Sequence, residues 1–320
     1  MEEDEGIFVP DDRGVYYSPA TNLLPPEEGE PIWEGRFGVI PRKWNVSIFD
    51  WAELATQHRV HLPWAAAESM LKSCNLEFAV KGVSLESTTE EFSSLKTLLY
   101  SNGLTPFSLQ LTSNYSINEY AGISGRKSEY SREHMHEGLR EGITNKTSKV
   151  GVWSSANAFP SLSASGPLKR TITSEIFTAS ARDVDKWRHI KIRNPVCSFI
   201  ERVAETAPSL PERNQSLLHI WTGLEALFPR VQSEVSFRIA LYLAQLQYGD
   251  YSKMEVFEKA RRSYGDRSKI SHGGNIKERD DRDPWHIAWT LLMDSIKSIM
   301  QRGKVPSEEE LIEELLRESE

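Results

Sequence analysis

The sequence predicts an α+β domain over residues 31–182 followed by an all-α helical bundle over residues 183–305. Three observations predict it. Short alternating runs and short periodic runs succeed one another up to residue 182. From Asp183 onward, apolar residues recur at three- and four-residue spacing over long stretches. Caps and prolines punctuate those stretches, at Asn194-Pro195, Pro211, Pro229 and Asp283-Pro284.

Residues 1–30 are acid-rich and contain Pro10, Pro25 and Pro26, which reads as a poorly ordered lead-in. Phe37 to Ile40 and Trp44 to Ile48 read as strands. Trp64 to Asn75 reads as a helix and Leu76 to Val83 as a strand. Thr88-Thr89-Glu90-Glu91 has the form of a capping box. It would open a helix through Phe92, Leu95, Leu98 and Leu99 that stops at Gly103. Phe107 to Leu111 alternates like a strand, and Ser128 to Arg140 reads as a polar helix. Val150 to Trp153 and Thr171 to Thr178 read as closing strands, with a loop over Ser154 to Ser165.

In the second half, Val196, Phe199, Ile200 and Val203 share one helical face, as do Leu217, Trp221, Leu224 and Phe228. Ser236 to Leu246 is apolar nearly all round and should sit centrally. Met254, Phe257, Arg261, Tyr264 and Ser268 form a further stripe. Trp285, Trp289, Leu292, Ile296 and Met300 form the last. Residues 306–320 read as an exposed, acidic helical tail. Four or five amphipathic helices with short links make a bundle.

Composition narrows the classes. The 320 residues are 39% hydrophobic and 10% aromatic, enough for two ordinary cores. Two cysteines, Cys74 and Cys197, make no disulfide framework, and the eight histidines have no zinc spacing with them. The acidic start Met1 to Glu5 lacks a signal-peptide pattern, and no apolar run approaches the ~20 residues of a membrane helix. A cytoplasmic setting with no membrane partner is expected. The net charge of −8 argues against a whole-protein nucleic-acid coat. Between Lys253 and Arg279, however, eight basic residues face four acidic ones.

That basic stretch contains Tyr264-Gly265-Asp266-Arg267-Ser268-Lys269-Ile270-Ser271-His272-Gly273-Gly274. The glycine pair reads as a helix stop. Arg267 and His272 are five residues apart, about 140° on a straight helix. They converge on one ligand only if the helix ends or bends near His272. Upstream, Glu225 sits among Leu218, Trp221 and Phe228. A carboxylate in an apolar strip needs a cation, and Arg238 and Arg267 are the candidates. Lys269, Arg261 and Arg262 would track a phosphate backbone without reading sequence, or serve simply as solvated charges on the helix face. Tyr264 would stack on a base or pack in the core. His134-Met135-His136 has the wrong spacing for ligands on one helical face. Gly122 to Ser128 fails the spacing of a phosphate-binding loop, and His58 and His61 have no supporting pattern.

Arg267-x4-His272 followed by Gly273, inside Tyr264-x-x-Arg-Ser-Lys-Ile-x-His-Gly, resembles the Arg-x4-6-His motif of HEPN domains. It is most similar to the Apea-like HEPN group. Leu217 to Phe228, with Glu225, resembles the acidic helix upstream in that group. The resemblance covers residues 183–305 and does not extend to residues 1–180. It implies a homodimeric, metal-independent endoribonuclease that uses no cofactor and acts as an antiviral-defence or toxin-like effector. Arg267 and His272 would be catalytic, supported by Glu225, Ser268 and Tyr264, with RNA bound by Lys269, Arg261 and Arg262. Ser268 stands where the family often has Asn, Asp or His, and a serine cannot act as a second base. Gly274 stands where a modified subgroup has tyrosine. The α+β domain would answer a trigger or regulatory partner. The alternative is a non-catalytic HEPN module for binding RNA or protein, or for dimerisation.

Overall fold

The computed structural model describes residues 14–27, 29–57, 73–82, 84–109, 111–152, 168–247, 252–274 and 283–317. The chain divides into two compact units. One comprises Met1–Phe92 with Leu109–Asn157, and the other Ser93–Ser108 with Ala158–Glu320. This division differs from the expected boundary at residue 182. Residues 93–108 belong to the helical unit, and that unit resumes from residue 158.

The first unit is built on an antiparallel sheet. The strands of the sheet are β1 (Val15–Thr21), β2 (Ile32–Glu34), β3 (Phe37–Pro41), β4 (Leu76–Lys81), β5 (Ser108–Leu109, of which Leu109 belongs to this unit), β6 (Leu111–Ser113) and β7 (Val150–Val152). The main path runs β2-β3-β4-β1-β6-β7. The expected lead-in over residues 1–30 is therefore corrected from residue 14 on, and residues 1–13 lie outside the described residues. β1 lies between β4 and β6, with Tyr17 opposite Ala79 on one side and Ser113 on the other. Tyr16, Ser18 and Ala20 are buried. Trp44 to Ile48 forms no strand; a helix, α1 (Ile48–Gln57), begins there instead. Ser47 caps it, its Oγ accepting from the Asp50 amide at 3.1 Å.

Helix α2 (Leu85–Ser101) starts a turn earlier than the Thr88 box suggests, and Ser84 Oγ accepts from the Ser87 amide. The expected helix over Ser128 to Arg140 shrinks to α3 (Glu129–Glu133) and a 3-10 turn at Glu137–Leu139. Within Gly122 to Ser128 the buried Arg126 side chain donates to the carbonyls of Ile143, Leu139 and Ala121. Burial holds that guanidinium below its ordinary value, but three carbonyl partners satisfy it. Trp51, Leu54, Leu111, Ile117 and Tyr120 form the core beside it. His58, His61 and residues 64–72 of the expected helix lie outside the described residues, as does the expected Ser154–Ser165 loop.

The helical unit contains α4 (Ser174–Arg193), α5 (Pro195–Thr206), α6 (Arg213–Ala226), α7 (Val235–Leu246), α8 (Lys253–Ser271), α9 (Pro284–Arg302) and α10 (Glu308–Arg317). Thr171 to Thr178, expected as a strand, is instead the cap and first turn of α4, with Thr173 Oγ1 accepting from the Ile176 amide. Pro195 stands at the first position of α5, and Asp283-Pro284 opens α9 as expected. All five residues of the α9 stripe are buried. Two serines satisfy buried indoles and pass the bond on to backbone. Trp285 Nε1 donates to Ser216 Oγ, which donates to the Ala207 carbonyl. Trp221 Nε1 donates to Ser263 Oγ, which donates to the Pro284 carbonyl.

A buried ionic cluster occupies the same unit. Glu201 accepts from Lys191 Nζ at 2.6 Å and from Trp187 Nε1 at 2.7 Å. Ser94 Oγ adds a third bond at 3.2 Å. Burial pushes the Glu201 carboxyl up, and Lys191 draws it back. Cys74 and Cys197 are buried and free, and burial pushes each thiol up to about 12. Neither is a nucleophile at neutral pH.

The acidic tail is docked rather than exposed. Leu311 of α10 is buried, and Arg302 grips Glu314 with two bonds at 2.8 and 2.9 Å. The Arg230 amide donates to Glu308 at 3.0 Å. No helix among the described residues is long and apolar enough to cross a membrane.

Candidate functional site

Helix α8 carries the sequence motif and packs against α6, α7 and α9. It opens with a capping box: Ser252 Oγ accepts from the Glu255 amide while Glu255 accepts from the Ser252 amide. It closes at the expected place. His272 is the cap residue, Gly273 takes φ +77°, and the Gly273 and Gly274 amides bond back to Ile270 and Lys269 at 2.9 and 2.8 Å. A Cβ at Gly274 would stand 3.0 Å from the Lys269 carbonyl oxygen, so glycine fits this double stop.

The α8 face that enters the core is Val256, Ala260 and Ser263. The stripe read from the sequence is a different one. Met254 is 64% exposed, Arg261 is exposed, and Phe257 is half-buried against the exposed Phe237 of α7. α7 itself is accordingly buried over most, but not all, of its circumference.

Arg267 and Glu225 meet. Arg267 Nη2 lies 3.0 Å from one carboxylate oxygen of Glu225 and donates to the other at 3.1 Å. Both side chains are 27% exposed, so the pair is neither dry nor fully screened. Arg238, the other candidate, goes to the Tyr242 hydroxyl and to Glu308. Tyr264 lies under the pair: the Arg267 guanidinium carbon is 5.4 Å from its ring centre. Tyr264 in turn meets the buried Trp221 edge to face at 5.1 Å. Burial and the Glu225 charge push the Tyr264 phenol up, against the opposing pull of Arg267. Arg267 Nε is buried without a hydrogen-bond acceptor among the described residues.

His272 stands apart from this constellation. Its amide still bonds to the Ser268 carbonyl at 3.2 Å, so the helix runs straight to it. Five helical residues then separate its direction from that of Arg267 by about 140°. The ring is exposed, with no side-chain hydrogen bond to the described residues. Ser268 is half-buried and offers its carbonyl to Ser271 Oγ at 3.0 Å. Lys269 is exposed and pairs with Asp266 at 3.1 Å. Arg261 lies over the Phe257 ring, and Arg262 is exposed.

The structure therefore joins Arg267, Glu225 and Tyr264 but does not join them to His272. Trp221, placed in the sequence only as a core residue, also supports the site. Its i+4 spacing to Glu225 on α6 is the signal that could have shown this. His134 Nδ1 bonds the Tyr130 carbonyl at 2.7 Å. Comparison with family models, with curated proteins and with solved structures finds no match to this chain.

Proposed function

We propose that this chain is a metal-independent endoribonuclease of HEPN type, working in the cytoplasm as a pair of copies. The observation that carries the reading is the ion pair between Arg267 and Glu225 over Tyr264, one turn and a half before His272. It holds a permanent planar cation in a fixed direction, which suits a phosphate oxygen pair.

The chemistry needs three things. A base takes the 2′-OH proton, and the freed oxygen attacks the adjacent phosphorus. An acid protonates the departing 5′-oxygen, leaving a 2′,3′-cyclic phosphate and a 5′-hydroxyl. A cation stabilises the phosphorane between them. In this reading His272 transfers protons and Arg267 binds the phosphate. Glu225 positions Arg267, and Ser268 offers a hydrogen bond beside them. One imidazole cannot be base and acid in the same step, and one chain presents Arg267 and His272 on different faces. A second copy supplies the missing partners to each site. Lys269, Arg261 and Arg262 hold the RNA backbone. The sheet-bearing unit answers a trigger or regulatory partner, as in a defence or toxin-like effector.

The test is incubation of purified protein with total RNA in EDTA, followed by mapping of cut ends. Cyclic phosphate ends, lost in both Arg267→Ala and His272→Ala, are the expected result. Cleavage at the wild-type rate by His272→Ala would sink the reading. A non-catalytic RNA-binding module is the second reading. It is favoured by the divergence of Arg267 and His272 and by the carboxylate already seated on the guanidinium. Salt-dependent RNA binding without scission would select it.

A further inference from the structure

Gly265 occupies the interior of α8, where glycine is the least favourable residue after proline. Other glycines of this unit have a reason inside the chain. Gly223 of α6 lies against Val203, whose Cγ1 would be 3.1 Å from an added Cβ. Gly273 and Gly274 close α8. At Gly265 an added Cβ would meet nothing within 4 Å among the described residues. Packing among the described residues does not call for a glycine there.

The surroundings of this notch are specific. Arg261 and Lys269 lie one turn before and after it, and Arg262 and Ser268 lie three residues to either side. All three cations are exposed. Among the described residues of α8 the acids on this side are Asp266, to which Lys269 is bonded, and the exposed Glu258, seven residues before the notch. His272 lies seven residues on, within about 20° of the direction of Gly265. A strand crossing the notch is thereby led along the face that ends in the imidazole.

Building on the proposed ribonuclease reading, we infer that the sugar–phosphate backbone of single-stranded RNA crosses α8 at Gly265. It lies directly on the helix backbone there, with Arg261, Arg262 and Lys269 as its phosphate contacts. Any side chain at position 265 lifts the strand away from those cations. A second copy of this chain fits the notch less well. Two α8 helices related by a two-fold axis and crossing at Gly265 would set Arg261, Arg262 and Lys269 against the same three cations.

The test uses the full chain and a labelled 2′-O-methyl oligouridine, which has no attacking hydroxyl, read by fluorescence anisotropy. Gly265→Leu is expected to weaken binding about tenfold. Gly265→Ala is expected to weaken it about threefold while raising Tm by about 2 °C through helix propensity. This opposite movement of affinity and stability is what a merely structural glycine would not give. Unchanged affinity in Gly265→Leu, or a lower Tm in Gly265→Ala, overturns the inference and leaves the ribonuclease reading standing. Conversion of a dimer to a monomer by Gly265→Leu in sedimentation also overturns it, and makes this face an interface between copies. Absence of oligouridine binding by the wild-type chain defeats the underlying reading, and the inference with it.

Discussion

Breaking the Glu201 cluster should unfold the helical unit by a large and diagnosable margin. Glu201 and Lys191 have side chains only 9% and 14% exposed, at 2.6 Å. Glu201→Gln keeps an oxygen for Trp187 Nε1 and Ser94 Oγ but leaves the Lys191 ammonium without its counter-charge. Lys191→Met leaves the carboxylate in the same position. Removing one member of a buried pair costs about 3–5 kcal/mol. The retained hydrogen bonds place each single change near the lower figure, about 3 kcal/mol. A unit of this size loses about 2–4 °C of Tm per kcal/mol, so each should fall by about 6–12 °C. The double variant removes both charges and keeps the Trp187 bond. It should return to within about 1 kcal/mol of wild type. Calorimetry gives the Tm values, and the indole of Trp187 reports the cluster by fluorescence. Single changes that shift Tm by less than about 2 °C, or single costs that simply add in the double variant, would refute the coupling.

Asp50 gives a pH signature in the sheet unit. Burial would raise its carboxyl, but the Ser124 and Gly122 amides and the Ser124 and Ser47 hydroxyls outweigh that and hold it below 3.8. A carboxyl lowered in the folded state contributes stability above 3.8, and that contribution is lost as the pH falls below this value. Asp50→Asn should therefore cost about 1–2 kcal/mol at pH 7, with the gap to wild type closing in acid; denaturant titrations at several pH values measure it. Leu311→Asp should release α10, since an unpaired carboxylate cannot occupy that buried position. Limited proteolysis would then cut within α10 before the rest of the helical unit, while wild type resists.

The helical half was legible because its signals are local. Asn194-Pro195 and Asp283-Pro284 announce α5 and α9, and the α9 stripe has one reading only. α8 was harder, since it carries two superposed stripes. Of the larger residues, Met254 is exposed and Phe257 half-buried, while the small ones, Ala260 and Ser263, lie inside. Size favoured the wrong face, and small core residues give little periodic signal. β1 was missed because acid surrounds it and Pro19 interrupts it, both of which argue against a central strand. Its place depends on partners far along the chain. At the site, the need of Glu225 for a cation could be read from its apolar neighbours. The choice of Arg267 over Arg238 depended on how α6 and α8 pack. The divergence of His272 depended on the helix staying regular to its last residue.

The central position of β1 also sets an order of assembly. Its ladder partners are β4, which begins at Leu76, and β5 and β6, which end at Leu109 and Ser113. Each pairing closes a long loop before any bond rewards it, which makes sheets of this kind slow to form. Until both neighbours arrive, Val15–Thr21 has two open edges and a greasy flank available to any passing strand. Refolding from denaturant should therefore be most prone to clumping early, before the chain through Ser113 has collapsed around its first strand.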